Sequence, residues 1–322
     1  MSLPAVLAGR LRLPVIAAPM FIVSVPELVI AQCKAGIVGA FPALNARPAA
    51  LLDEWLHRIR EELAAWDRDH PERPAAPFAV NQIVHRSNAR LDEDVETCRR
   101  HRVPIVITSL GAREDLNAAV HGWGGITLHD VIDDRYARKA IDKGADGLIA
   151  VAAGAGGHAG RQSPFALVQE IRSWFAGPLA LSGAIATGGA ILAAEAMGAD
   201  LAYIGSPFIA TDEANAVAAY KQAIVDGRAE DIVYSSYFTG VHGNYLRGSI
   251  LAAGLDPDDL PRDQDIRMDF ARAHEAKAWR DIWGAGQGIG AVDAIVPAGE
   301  RVARLAAEYD AARARLGASA AL

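Results

Sequence analysis

The stretch Ala153-Gly154-Ala155-Gly156-Gly157-His158-Ala159-Gly160 contains one side chain able to move a proton, His158, among residues too small to obstruct an approaching molecule. It follows an apolar run, Gly147 to Val151, that reads as a buried strand. A histidine at the mouth of a parallel sheet, beside a place shaped for a flat ligand, is a candidate general base. The plainer alternative is a glycine-rich turn that reverses the chain and carries a surface histidine. Two further segments share the small-residue character, Ser182-Gly183-Ala184-Ile185-Ala186-Thr187-Gly188-Gly189 and Tyr203-Ile204-Gly205-Ser206-Pro207-Phe208. Backbone N–H groups exposed there, together with the Ser206 hydroxyl, suit a phosphate.

Such loops need a frame. Short apolar segments recur at Val15 to Ala18, Ile37 to Ala40, Phe78 to Val80, Val103 to Thr108, Ile126 to Leu128, Gly147 to Val151, Leu179 to Leu181 and Leu201 to Ile204. They suit strands of a parallel sheet buried on both faces. Helical stretches lie between them, including Pro26 to Ala35, Pro48 to Leu63, Asp133 to Lys143 and Gly188 to Met197. Gly144-Ala145-Asp146 and Gly198-Ala199-Asp200 repeat one local pattern, a helix stop followed by aspartate before a strand. Eight strands alternating with helices predict an α/β protein, a (β/α)8 TIM barrel, with a doubly wound open sheet as the alternative. The small-residue loops then follow strands six, seven and eight, and barrel enzymes often bind phosphate after the last two. This points to a flat phosphate-bearing cofactor, FMN rather than NAD, because no Gly-x-Gly-x-x-Gly follows the first strand.

The barrel is expected over residues 1–211 and 285–322, with a mainly helical insertion or cap over 212–284. Within it Asp212 to Gly227 and Arg267 to Asp281 read as helices and Ser235 to Leu255 as mixed; Ala298 to Leu316 reads as a long closing helix, and Ala65 to Pro77 as a loop. Trp279 and Trp283, four apart on the expected helix, read as core packing.

Composition narrows the function. The 322 residues are 51% hydrophobic and 22% charged with a net charge of -7, which disfavours nucleic acid and anionic membrane surfaces as partners. No apolar run of about 18 residues is present to span a bilayer, and the N-terminus lacks the order of a secretory signal. Cys33 and Cys98 make neither a metal spacing nor a disulfide framework, so a cytoplasmic protein with reduced thiols is expected. No metal site is expected, and without Gly-x-Ser-x-Gly a serine hydrolase is unsupported. His57, His70, His85 and His101 read as solvent-exposed.

Taken together, Ala155-Gly156-Gly157-His158, Ser182-Gly183-Ala184-Ile185 and Gly205-Ser206-Pro207-Phe208 resemble the nitronate monooxygenase (2-nitropropane dioxygenase) family of FMN-dependent barrels, related to flavin-type enoyl-ACP reductases. Ala18-Pro19-Met20, Val80-Asn81, Thr239-Gly240 and Ala285-Gly286-Gln287-Gly288 support the resemblance. It implies that Ala18, Pro19 and Met20 line the isoalloxazine ring, that Asn81 hydrogen-bonds the flavin, and that Gly156, Gly183, Gly205 and Ser206 hold its phosphate. Gly157, Ser182, Ala184, Tyr203 and Ile204 belong to the same cofactor-binding set, and His158 faces the substrate. The chain also departs from the family: Val151, Ala152 and Gly154 stand where a Gln, a Gly and a Glu are common, and Asp130 where a lysine is common. The implied activity is oxidation of alkyl nitronates, or nitroalkanes, with O2 to a carbonyl compound and nitrite. There His158 would orient the nitronate when protonated or remove a carbon-bound proton when neutral. The alternative is an NAD(P)H-dependent FMN reductase of an enone or quinone. The partners expected are a small-molecule substrate and O2, with a homodimer left open. His129, Asp130 and the Tyr234 to Tyr245 segment are further candidates for the site.

Overall fold

A strand whose successive residues are all apolar must be covered on both faces, and this chain meets the demand by closing its sheet into a ring. A computed structural model describes residues 3–260 and 279–319. Its strands are β1 (Val15–Ala17), β2 (Gly39–Pro42), β3 (Phe78–Ile83), β4 (Ile105–Ser109), β5 (Ile126–Val131), β6 (Gly147–Val151), β7 (Gly157–His158), β8 (Leu179–Ser182), β9 (Leu201–Ile204), β10 (Ile232–Ser235) and β11 (Gly243–Leu246). Eight of them run parallel in the order β1-β9-β8-β6-β5-β4-β3-β2. A bridge between Ile16 and Val38 joins the two ends, with Val38 N donating to Val15 O at 3.0 Å and Ala17 N to Val38 O at 2.8 Å. The expected barrel is therefore present, and each expected strand overlaps an observed one.

Alternation along the strands decides what the barrel holds. Ile16, Ala40, Ala79, Ile107, Leu128, Ile149, Ala180 and Leu201 point inward and form a dry core. Two residues further along each strand, the inward positions are Ala18, Pro42, Asn81, Ser109, Asp130, Val151, Ser182 and Tyr203, and all of these line a cavity. Apolar packing below thus carries a partly polar floor above. Outward residues such as Leu148, Ala150, Leu181 and Ala202 pack against Leu167, Ile171 and Ile191 of the surrounding helices.

The repeated Gly-Ala-Asp pattern has one mechanical use. Gly144 and Gly198 end helices at φ 85° and 110°, a region open to glycine. Each following aspartate then accepts a backbone N–H from the neighbouring strand: Asp146 from Thr127 at 2.7 Å and Asp200 from Leu179 at 2.9 Å. The closing helix, Ala298–Ser319, packs on the helix Gly188–Met197.

Elsewhere the structure corrects the expectations. The helix Leu51–Asp69 runs through part of the expected loop, because Trp66 continues beyond Leu63 the face that packs on the core and the alanines before it favour helix. Only Ala218–Asp226 of the Asp212 to Gly227 segment is helical. After β9 the chain forms a short helix, Ser206–Ile209, and later the hairpin β10–β11, whose second strand pairs with β7. The segment is thus mixed rather than mainly helical among the described residues, since Ile232, Val233 and Tyr234 favour extended backbone. The helix expected from Arg267 falls on residues outside the described ones up to 278, and Trp279 and Arg280 lie in a turn. His101 is not exposed: its Nε2 lies 2.9 Å from Asp53 Oδ1 with the side chain 11% accessible. Both cysteines are free and buried, and burial pushes their thiols up to about 12. Among the described residues no helix is long and apolar enough to cross a membrane, and no group of side chains has metal-site geometry.

The contact between the two helices sets a test. A Cβ on Gly188 would fall 2.1 Å from Tyr309 N and 2.3 Å from Leu305 O, both backbone atoms. Gly188→Ala is expected to destabilise the protein by about 1–3 kcal/mol in denaturant unfolding. Gly299→Ala, with open space at the same distance range, should leave stability nearly unchanged.

Candidate active site

The cavity over the strand tops has a volume of about 820 Å³. Its wall on the β1 side is Ala18-Pro19-Met20, a segment held by a side chain that sequence reasoning passed over. Asn45 Nδ2 donates to Met20 O at 3.0 Å and Ser24 O at 2.8 Å, while its Oδ1 accepts from Ile22 N at 2.9 Å. Asn45 lies in a short 3-10 turn with no apolar period, so nothing in the sequence tied it to a segment more than twenty residues away.

Beside the cavity lies a small recess lined by Gly154, Gly156, Gly183, Ala184, Gly205, Ser206, Gly286 and Gly288. Gly154, Gly183 and Ala184 adopt φ of 84°, 146° and 54°, curling the backbone around it. A Cβ on Gly156 would fall 2.8 Å from Gly286 N, so two loops meet backbone to backbone. Gln287 N donates to Gly154 O at 2.9 Å, and Gly286 N to Ser206 Oγ at 2.8 Å. Ser206 keeps its own hydroxyl hydrogen to donate, while its oxygen is occupied in holding the recess together.

The structure brings Ala18, Pro19, Met20, Asn81, Gly156, Gly157, His158, Ser182, Tyr203, Gly205 and Ser206 to one cavity, with Gly183 and Ala184 in the adjoining recess. Ile204 is the exception: its side chain packs outward among the helices, and only its carbonyl serves the site, accepting from Ala18 N at 2.8 Å. Asp130, Tyr234 and His242 also line the cavity, and His129 borders it with its ring turned to Thr108 on the outer face of β5. Tyr245 is fully buried behind it.

His158 sits on the roof. Its ring stands edge-on to Trp279, centroids 5.4 Å apart, and Trp279 lines the cavity rather than a helix face. His158 Nε2 lies 3.0 Å from Thr239 Oγ1. Thr239 Oγ1 also lies 3.1 Å from Val241 O, and a hydroxyl hydrogen directed there pairs with the tautomer of His158 that carries its proton on Nε2. Burial holds this imidazole down to about 4, so it is neutral at physiological pH.

On the floor Asn81 Nδ2 donates to Ile107 O at 3.2 Å and to Ser109 Oγ at 2.7 Å. Ser109 Oγ in turn donates to Asp130 Oδ2 at 2.5 Å. Burial pushes the Asp130 carboxyl up to about 6, against the lowering effect of that hydrogen bond. His129 faces the other side of β5, with Nδ1 2.6 Å from Thr108 Oγ1, and burial, aided by Lys139, holds it down to about 4. Lys139 and Arg161 are the lysine and arginine of the cavity lining. Arg161 lies 3.0 Å from His242 Nε2 and 5.6 Å over the Tyr234 ring.

A closed barrel with a deep cavity over its strand tops, a neutral histidine on the roof and a glycine-lined recess beside it has the layout of a (β/α)8-barrel oxidoreductase. The chain belongs to the nitronate monooxygenase family, which it matches over residues 65–308. It is 28% identical to a nitronate monooxygenase of Paraburkholderia phytofirmans, an alignment covering 92% of each chain. Among solved structures it resembles a nitroalkane oxidase from Streptomyces ansochromogenes, with TM-score 0.77 and 26% identity over 97% of this chain and 100% of that one. It shares its fold with FabK from Thermotoga maritima at TM-score 0.77 and 23% identity, covering 96% of each chain.

The depressed histidines give stability a pH dependence. His129 unfolded takes up a proton below its ordinary 6.5, whereas folded it resists until about 4. The unfolded state therefore binds more protons in that window, and stability falls as pH drops from 6.5 to 4. His129→Asn is expected to flatten this decline in denaturant unfolding at a series of pH values.

Proposed function

We propose that the protein is an FMN-dependent oxidoreductase that oxidises alkyl nitronates, and nitroalkanes from which they form, with O2 to a carbonyl compound and nitrite. The observation that carries this reading is a neutral imidazole lining a cavity fit for a flavin, in a chain of the nitronate monooxygenase family.

The residues present fit that cofactor. The recess has no side chain where Gly156, Gly183 and Gly205 stand, and a Cβ on the first two would strike backbone. Its amide groups and the Ser206 hydroxyl suit a phosphate. Asn81 has both amide hydrogens committed to Ile107 and Ser109, so it offers its Oδ1 as an acceptor to the ring's polar edge. Ala18, Pro19 and Met20 supply an apolar wall for the ring.

When bound, the flavin supplies the electron-accepting chemistry. The chain supplies position and proton handling. Because His158 is neutral, it cannot orient a nitronate by positive charge, and the proton-accepting role remains: Nδ1 takes the carbon-bound proton of a nitroalkane while Thr239 holds the ring through Nε2. Lys139 and Arg161 place positive charge where an anionic nitronate enters. Trp279 packs against His158 and keeps water from the imidazole.

The deciding experiment is a visible spectrum of the purified protein, followed by nitrite detection after propyl-2-nitronate is added in air. Flavin absorbance together with nitrite supports the reading. A yellow protein that makes no nitrite but is bleached anaerobically by NAD(P)H would identify the enone or quinone reductase instead. His158→Ala is expected to lower kcat/KM on a neutral nitroalkane by about 10²-fold, and less on the preformed nitronate. Arg161→Ala should raise KM for the nitronate, an effect that shrinks with added salt, while KM for the nitroalkane stays unchanged.

A further inference from the structure

Among the described residues two carboxyl groups line the cavity, Asp130 and Asp133. Asp133 lies at the rim, where its Oδ1 caps a helix by accepting from Tyr136 N at 2.9 Å. Asp130 is different. It is the inward residue at the top of β5, set on the floor between Ser109 of β4 and the cavity, and it belongs to a chain of hydrogen bonds that starts at Asn81. Among the described residues no lysine, arginine or histidine acts on its charge; the groups that do are the Ser109 hydroxyl and the Leu110 backbone N–H. A carboxylate without a cation beside it is poised to accept a proton whenever more negative charge arrives next to it.

We propose that Asp130 is the proton-linked group of this site: its carboxylate takes up one proton from solvent water when the flavin above the floor becomes electron-rich, and releases it when the electrons pass to O2. The inference rests on the flavin reading. The electrons come from the nitronate; the bond made is an O–H on the Asp130 carboxyl, and the proton lost is one from solvent. Asp130 thereby offsets one unit of the negative charge that each reduction adds to the site.

The surroundings leave Asp130 as the group that titrates near neutrality on the floor. From β3 the neighbour is Asn81, and from β4 Ser109, neither of which ionises. From β9 it is Tyr203, whose phenol is pushed far up by burial and by Asp130 itself. On β5 His129 points to the other side and, like His158 on the roof, is held down to about 4. The Asp130 carboxyl itself is pushed up to about 6, the direction expected of a charge buried without a partner.

The test uses the FMN-loaded protein and follows its midpoint potential from about pH 6 to pH 9 in the wild type, Asp130→Asn and Ser109→Ala. The wild type is expected to take up one more proton per two electrons than Asp130→Asn over part of this range. Asp130→Asn should also hold reduced flavin more readily at the alkaline end. Ser109→Ala removes the hydrogen bond that favours the carboxylate, so the break in its pH profile should move to higher pH. A reduced-minus-oxidised infrared spectrum should gain a protonated-carboxyl band in the wild type that Asp130→Asn lacks. Equal pH slopes in wild type and Asp130→Asn, with no such band, overturn the proposal. If Asp130→Asn does not fold, an unmoved break in Ser109→Ala overturns it equally. A wild type that binds no FMN overturns the flavin reading, and this inference with it, in the absorbance spectrum before any titration begins.

Discussion

Two residue pairs, Gly243 opposite His158 and Asn244 opposite Gly157, tie the roof of the cavity to the barrel, and the rest of the site depends on them. A Cβ on Gly243 would lie 2.8 Å from Gly157 O, so this approach of strands is open to glycine and closed to other residues without a shift. Asn244 reinforces it, its Nδ2 donating to Ala155 O at 2.6 Å. The same strand then holds the next part of the chain: Leu246 N donates to Trp283 O at 2.7 Å and Ala285 N to Asn244 O at 3.3 Å. From Ala285 the backbone runs directly into Gly286 and Gln287, which close the recess. One short antiparallel ladder therefore places the candidate base relative to the Gly286 and Gly288 side of the recess, although more than a hundred residues separate the two in sequence.

The electrostatics of the cavity share one cause. His158 and His129 are pushed down and Asp130 is pushed up because the site dries its ionisable groups without giving them opposite charges. These shifts pull stability in opposite directions with pH: the neutral histidines favour the folded state as pH rises from 4 to 6.5, whereas Asp130 favours it as pH falls through 6. Among the described residues of the lining, the lysine and the arginine are Lys139 and Arg161, both exposed at the edge. An anion is drawn toward the mouth, and the interior is left to neutral hydrogen-bonding groups.

The barrel was legible because each of its strands is a compact apolar run bounded by turn residues, and a buried parallel strand leaves that trace. The loops were legible because their function requires small residues at consecutive positions. The hairpin over His158 was not, since its strands Ile232–Ser235 and Gly243–Leu246 are short and are fixed by pairing with a two-residue strand far away in sequence. Trp279 misled for a related reason. Its four-residue spacing from Trp283 fits a helix, but Trp279 has φ 67° and turns toward His158, while Trp283 stacks on Tyr220 with centroids 5.0 Å apart. Spacing of four residues carries no information once the backbone leaves the helix.

Gly154 shows that the departures from the family pattern fit together. At φ 84° it sits where side chains are strained, and a Cβ there would lie 3.0 Å from Gln287 Oε1 and 3.2 Å from Ala184 Cβ. A glutamate at this position would be strained by the backbone conformation and would displace the Gln287 side chain and crowd Ala184. Without that carboxylate no anion is placed at position 154 to favour an imidazolium, and Thr239 supplies the orienting contact with an uncharged hydroxyl. His158 is held neutral by burial, and the floor carboxyl, Asp130, lies across the cavity from it.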